Sequence, residues 1–432
     1  MNPQPNISLV LKDRSPSPAE ALYYCFILTL PFEQVLRFSG FTVTTGFGLL
    51  FFIVSITEWQ TFYGRLPREL VVLFGFVGVG IVADIISYGT VDSFAIREFS
   101  RPFLVWWLML AAYNLTLNHR FHRVVGSLYL ASLAFACFQS LSLGASSLNI
   151  YEGAARGNEG RRVAVLGNDV NFAAMFIAVS VLAGLAYGLT MAKTRLVYRV
   201  FFLLGSVTGV YAILKTGSRG GLLALVGGIL SLAVTARKWR ISVTYMFIVI
   251  CVLLTIGVTV LNDPYLAARF RDAAERRDTS GRVEIWGQAM RVFTASPLYG
   301  FGHYMQTDAL GAIRHSGKVG THNFFLSVLL GSGLAGLLCF LYFYVRAFRS
   351  VWSVKTQRSG RIVLAWFLAT FVAALSLNME IAKWFWLVLV LALAAGKRSR
   401  RPSTVREAWA NRCAAEDETL WVQDGPPVTG HQ

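Results

Sequence analysis

The chain has 432 residues, 55% of them hydrophobic, 14% aromatic and only 15% charged, with a mean hydropathy of +0.53, a composition that excludes a soluble domain of this length. Its net charge of +17 has no soluble basic domain behind it, which excludes a nucleic-acid partner and leaves anionic membrane lipid as the natural one. Cys25, Cys137, Cys251, Cys339 and Cys413 are scattered without a CxxC spacing, so neither a disulfide framework nor a zinc site is indicated.

Residues 1–19 are a Pro/Ser-rich tail. Lys12 and Arg14 precede the first apolar stretch, and "PFEQVLRFSG" after it is no cleavage site, so that stretch reads as a retained anchor. Twelve apolar stretches follow one another near 20–37, 40–57, 69–87, 102–118, 123–143, 171–192, 198–215, 218–235, 241–261, 323–345, 362–379 and 384–396, each suited to one crossing of a ~30 Å hydrocarbon core. Because backbone groups in lipid must be satisfied within the segment, these are helices, and the expected fold is an all-α integral membrane protein of about 12 spans. Nine spans occupy 20–261 and three occupy 323–396, separated by a large loop at 262–322 and followed by a basic tail at 397–432. With both termini cytoplasmic, the short inner loops hold fifteen lysines and arginines and the short outer loops six, as the positive-inside rule requires.

The loop 262–322 faces outward in this topology. "NDPYLAARFRDAAERRDTSG" predicts a helix capped by Asp263 with Pro264 first, carrying Leu266, Phe270 and Ala274 on one side and studded with Arg269, Arg271, Arg276 and Arg277. "TSGRVEIWGQAMRVFTASPLYGFG" predicts a second helix, with Val283, Trp286, Met290 and Phe293 as its apolar stripe and Arg282 one turn from Trp286 on the same side.

Charged residues avoid the middle of the spans; Glu33, Asp84, Lys215 and Glu380 stand near ends. A lipid-linked saccharide flippase or other ion-coupled transporter would keep titratable groups at the midplane, which speaks against that alternative. Polar groups gather instead at the outer ends of spans. "VAVLGNDVNFAAMF" offers Asn168, Asp169 and Asn171, "LKTGSRGGLLAL" offers Lys215, Ser218 and Arg219, "SGRVEIW" offers Arg282, and "GTHNFF" offers His322 and Asn323. Singly, each has a plainer reading: Arg219 as a snorkelling interfacial arginine, Asn168, Asn171, Thr321 and Asn323 as cap and turn residues, Arg282 as a solvated charge. His303 and His315 read as loop residues.

Together, on one face, they suit transfer chemistry on a pyrophosphate-linked substrate. Gly217, Gly220 and Gly221 leave backbone amides bare beside the Arg219 guanidinium, an arrangement suited to phosphate. Fixed arginines stabilise the charge that develops on a departing diphosphate, and histidine is the side chain suited to taking a hydroxyl proton near neutral pH. Metal-dependent versions of this chemistry use clustered carboxylates, and the outer loops hold no D-x-D pair and no H-E-x-x-H, so a reaction without metal or other cofactor is expected.

In this order, "TGSRGG", "GRVEIW", "SPLYGFG" and "THNFFLSVLLGSGLAGL" resemble the bacterial O-antigen ligase and Wzy-type polysaccharide polymerase superfamily, multi-span enzymes of the GT-C class. The resemblance covers residues 165–345 by motif and the whole chain by span count. It implies transfer of a glycan from an undecaprenyl-diphosphate carrier to an acceptor glycan at the periplasmic face of the bacterial inner membrane. On matching positions, Arg219 and Arg282 would bind the carrier diphosphate and His322 would act as base or orient the acceptor hydroxyl, with Asn168, Asn171, Lys215, Ser218, Trp286 and Asn323 around the substrate. Ser332 stands where many relatives carry an acidic residue. The implied product is an exopolysaccharide or O-antigen polymer, with ligation to lipid A core as the alternative, and the implied partners extend to other polysaccharide-assembly and chain-length proteins.

Overall fold

A computed structural model describes residues 15–33, 37–38, 41–88, 93–142, 169–190, 196–262, 282–313, 319–380 and 382–399. The elements are α1 (Pro18–Thr29), a ladder of β1 (Arg37–Phe38) and β2 (Phe41–Thr42), α2 (Val43–Ser55), α3 (Trp59–Tyr63), α4 (Arg68–Tyr88), α5 (Ser93–Leu115), α6 (Phe121–Ser142), α7 (Val170–Thr190), α8 (Leu196–Thr216), α9 (Arg219–Val234), α10 (Trp239–Asn262), α11 (Arg282–Ala295), α12 (Gln306–Ile313), α13 (Phe324–Trp352), α14 (Arg358–Ala374) and α15 (Lys383–Ser399). Apart from the antiparallel ladder, in which Arg37 pairs with Thr42 and Phe38 with Phe41, the described elements are helical, as expected from the composition.

Among the described residues, six helices are long and apolar enough to cross a membrane: Val43–Tyr63, Arg68–Ser87, Phe121–Leu141, Val170–Thr190, Leu196–Thr216 and Phe324–Trp352. Pro102–Leu115, Arg219–Val234 and Trp239–Thr255 are shorter apolar helices. Some of the apolar stretches therefore form helices too short to meet that length criterion; α1, for example, stops at Thr29 just before Pro31.

Packing centres on α7, "VNFAAMFIAVSVLAGLAYGLT", whose alanines and glycines let neighbours approach closely. A Cβ on Gly184 would stand 2.3 Å from Ser206 Oγ of α8, and one on Gly228 of α9 would stand 2.4 Å from Leu182. From α14, buried Trp366 donates its indole N–H to the Val179 carbonyl at 2.8 Å, and from α6, Ser132 Oγ donates to the Phe176 carbonyl at 2.5 Å. The helices at the rim behave differently. On α8 and α10, Val197, Leu204, Val207, Phe247 and Leu254 are exposed, the pattern of faces turned to lipid.

Two features fix the large loop onto this bundle. α13 is broken at Gly333, whose φ of 61° and ψ of −165° interrupt the helix. The segment 297–302 fills the break: the Phe301 and Gly302 amides donate to the Leu330 and Gly331 carbonyls at 2.8 Å each, and the Leu334 and Ala335 amides donate to the Pro297 and Leu298 carbonyls at 2.9 and 3.1 Å. Four backbone groups freed by the break thus find partners, as burial demands. The second anchor is Asp84, buried on α4, whose carboxylate accepts from the His303, Tyr304 and Met305 amides at 3.0, 2.9 and 3.1 Å. His303, read from sequence as a plain loop residue, is seated over Gly80: a Cβ there would meet His303 Nε2 at 2.0 Å. Burial lowers its pKa to about 4, so it sits neutral, edge-on to the Phe76 ring at 4.8 Å.

The stripe expected on the second loop helix is corrected. Val283 and Met290 are exposed, and α11 instead buries Ile285, Ala289 and Val292 against Leu310 and Leu330, with Trp286 and Phe293 at the edges. The small Ala289 lets α11 lie close to the first half of α13, which the bulky stripe would not. The first expected loop helix and His315 lie outside the described residues.

Candidate active site

The "TGSRGG" turn joins α8 to α9. Gly217, at φ 59°, makes the reversal and donates its amide to the Leu214 carbonyl at 3.1 Å. Ser218 caps α9: its Oγ accepts from the Gly221 amide at 3.1 Å and donates to Asn171 Oδ1 at 2.8 Å, which ties the start of α9 to the first turn of α7. Arg219 is therefore the first residue of α9. The bare-amide reading of the glycines needs correction. The Gly217 and Gly221 amides are engaged within the turn, and a Cβ on Gly221 would stand 2.4 Å from Ala174 Cβ, so that glycine serves close packing on α7.

At the start of α7, Asp169 Oδ1 accepts from the Asn171 and Phe172 amides at 2.8 and 3.2 Å. Arg282 opens α11, and one turn later Trp286 Nε1 donates to the Thr321 carbonyl at 3.0 Å. Asn323 caps α13 through its Oδ1, which accepts from the Leu326 amide at 3.2 Å. Between buried Thr321 and this cap stands His322, at φ 49° the one non-glycine residue with positive φ among the described residues. Histidine tolerates that region better than most side chains, and the turn leaves the residue at the surface, its imidazole partly covered by the surrounding segments, while its neighbours are held.

The charges from these segments act on one another. Burial lowers the pKa of Arg282, the nearby Arg219 cation lowers it further, and Asp169 opposes both. Burial likewise lowers the pKa of His322, reinforced by Arg282 and opposed by Asp169. The imidazole is accordingly neutral at pH 7 and able to take a proton. Among the described residues, the Arg219 and Arg282 guanidiniums and the Asp169 carboxylate thus act on one another here, and the starts of α7, α9, α11 and α13 add their positive helix ends.

The structure thus brings together Arg219, Arg282, His322, Asn171, Ser218, Trp286 and Asn323. Lys215 is exposed, with its ammonium 5.6 Å from the Tyr211 ring on its own helix, and among the described residues no contact joins it to the arginines or to His322. Asn168 lies outside the described residues. Asp169, grouped from sequence with Asn168 and Asn171 but given no role of its own, both caps α7 and reaches Arg282 and His322 with its charge. A separate cavity of about 230 Å³, lined by Phe121, His122, Ser359, Gly360 and Arg398 among others, lies at the far end of the helices and takes no part in this site.

Residues 204–341 match the Wzy_C family model, described as O-antigen ligase. The match runs from α8 through the break in α13 and takes in Arg219, Arg282, Trp286 and His322. This segment is thus similar to the O-antigen ligase family, whose members are glycosyltransferase-like enzymes that act on lipid-linked glycans. A comparison with curated proteins finds no match.

Proposed function

We propose that this protein polymerises undecaprenyl-diphosphate-linked oligosaccharide repeat units into an exopolysaccharide or O-antigen, at the periplasmic face of the bacterial inner membrane and without a metal ion. The observation that carries the reading is that Arg282 lies within electrostatic reach of both Arg219 and His322, residues from three separate segments at one end of the helices. Twelve crossings with both termini cytoplasmic, in a GT-C-like arrangement, would turn that end to the periplasm, where the lipid-linked donor is presented.

In this scheme Arg219 and Arg282 hold the donor diphosphate, with Ser218 and Asn171 fixing the start of α9 beneath it. Neutral His322 takes the proton of an acceptor hydroxyl; that oxygen attacks the anomeric carbon of the donor sugar, and the bond from that carbon to the diphosphate oxygen breaks. The glycan passes to the acceptor, undecaprenyl diphosphate leaves with the bonding electron pair, and the two guanidiniums stabilise the negative charge that develops on it. The arginines supply the positive charge that a metal ion supplies in related chemistry.

The test is incubation of purified protein with an undecaprenyl-diphosphate oligosaccharide in EDTA, with and without lipid A core. A product ladder without the core is the expected result. A single transfer that requires the core would make the protein a ligase, and no turnover in either tube would return the transporter reading.

A further inference from the structure

The turn that follows α14, residues 375–380, has no part in the scheme above, yet it touches the start of α9, the turn before α13 and the start of α12. Ser376 lies against the residue after Arg219: a Cβ on Gly220 would stand 2.8 Å from Ser376 Oγ. Asn378 Oδ1 is 2.9 Å from Thr321 Oγ1, and its Nδ2 covers Gly320, 2.6 Å from where a Cβ would be. Glu380 accepts from Gln306 Nε2 at 3.1 and 2.9 Å, and Gln306 Oε1 accepts in turn from Ser327 Oγ, in the first turn of α13, at 3.1 Å. The turn is itself anchored, because Trp386 Nε1 donates to the Glu380 carbonyl at 2.9 Å and the Ser376 amide to the Ala373 carbonyl at 2.9 Å.

The contact with most leverage is the one to Thr321. This hydroxyl is buried and has one proton, with the Asn323 carbonyl at 2.8 Å and Asn378 Oδ1 at 2.9 Å as its acceptors, and it accepts from the Asn323 amide at 3.3 Å. His322 stands inside that knot in a left-handed conformation that the backbone does not favour, so the turn persists because the residues on both sides of it are held.

We propose that Asn378 is a positioning residue for the imidazole: by holding Thr321 and covering Gly320, it fixes the left-handed turn that aims His322 at the acceptor hydroxyl. The turn that carries Asn378 also packs on Gly220, so one short segment sets the spacing between the diphosphate cations and the base. This rests on the reading of His322 as the base.

The experiment is a double-mutant cycle on the full chain, with turnover and donor affinity measured for wild type, Thr321→Val, Asn378→Ala and the double variant, and with His322→Ala in the same assay. Each single variant is expected to lose turnover about tenfold, the order expected for one buried hydrogen bond, with donor affinity unchanged. The double variant is expected to lose no more than the worse single, since the Thr321–Asn378 hydrogen bond is already absent in each single variant. Asn378→Asp, which keeps an acceptor for Thr321, should recover most of the turnover. If Asn378→Ala fails to fold, Thr321→Val and Asn378→Asp carry the same comparison. Additive losses, wild-type turnover in Thr321→Val and Asn378→Ala, or affinity lost in step with turnover would overturn the proposal. Wild-type turnover in His322→Ala would instead remove the reading of the reaction itself.

Discussion

The indole of Trp286 donates to the carbonyl of Thr321 at 3.0 Å, so the side chain one turn beyond Arg282 is fastened to the residue before His322. One hydrogen bond therefore couples the helix that presents a guanidinium to the turn that presents the imidazole.

Trp286→Phe keeps an aromatic ring at the edge of the loop core and removes only the donor. A partly buried hydrogen bond of this kind contributes ~1 kcal/mol net, so activity is expected to fall by about fivefold at constant fold. Steady-state transfer rates, alongside thermal unfolding in detergent, check this; unchanged activity would mean that the contact does not hold the two segments in register.

The linkage was half legible in the sequence. Helical spacing put Arg282 and Trp286 on one side of a helix, and Trp286 does face the "THN" turn. The buried stripe lies one position off the expected one: helical spacing through Val283, Trp286, Met290 and Phe293 gave a neighbouring stripe, whereas α11 buries Ile285, Ala289 and Val292 and keeps Trp286 and Phe293 at the edges. Capping is legible for Asn323, since Asn before an apolar run has that local role; Ser218, expected beside the substrate, turns out to cap α9. What no local rule could show is which segments meet: the filling of the Gly333 break by 297–302, the Asp84 clamp on the 303–305 amides, and the reach of Asn378 to Thr321 are contacts between residues far apart in the chain.

The pH dependence follows from His322. Its pKa is held below the ordinary 6.5 by burial and by the Arg282 cation, so the base form prevails at neutral pH and activity should fall only as pH drops through that lowered value. Asp169→Asn keeps a side chain able to cap α7 but removes the carboxylate that raises the pKa. Its acid limb in a kcat/KM profile is therefore expected at lower pH than that of wild type. A limb shifted upward would contradict the electrostatic coupling.

Gly333→Ala tests the break in α13. The glycine sits at φ 61° and ψ −165°, and a Cβ there would stand 2.3 Å from the Leu298 carbonyl carbon. A backbone region reserved for glycine costs on the order of 1–3 kcal/mol for another residue, and the clash adds to it. A marked drop in thermal midpoint, with loss of activity, is the expected outcome.

Glu380 has its pKa raised to about 7, chiefly by burial and also by the charge of Asp84, against hydrogen bonds from Ser327 and Gln306. A carboxyl raised in the folded state binds more protons there than when unfolded, so its contribution to stability is present below about 4.5 and is lost as pH rises through about 7. Glu380→Gln cannot ionise and keeps an acceptor for Gln306. Its thermal midpoint should therefore exceed that of wild type at pH 8 and lose this advantage toward pH 5, which a series of melts across that range would show.

The most direct measurement is donor binding and product formation by His322→Ala in one preparation, with Arg219→Lys beside it. The expected result is that His322→Ala binds the undecaprenyl-diphosphate oligosaccharide as wild type does and forms no product, while Arg219→Lys loses donor affinity, because a point charge cannot reproduce a guanidinium fork. Full product from His322→Ala, or undiminished donor binding by Arg219→Lys, would contradict the assignment of base and diphosphate clamp.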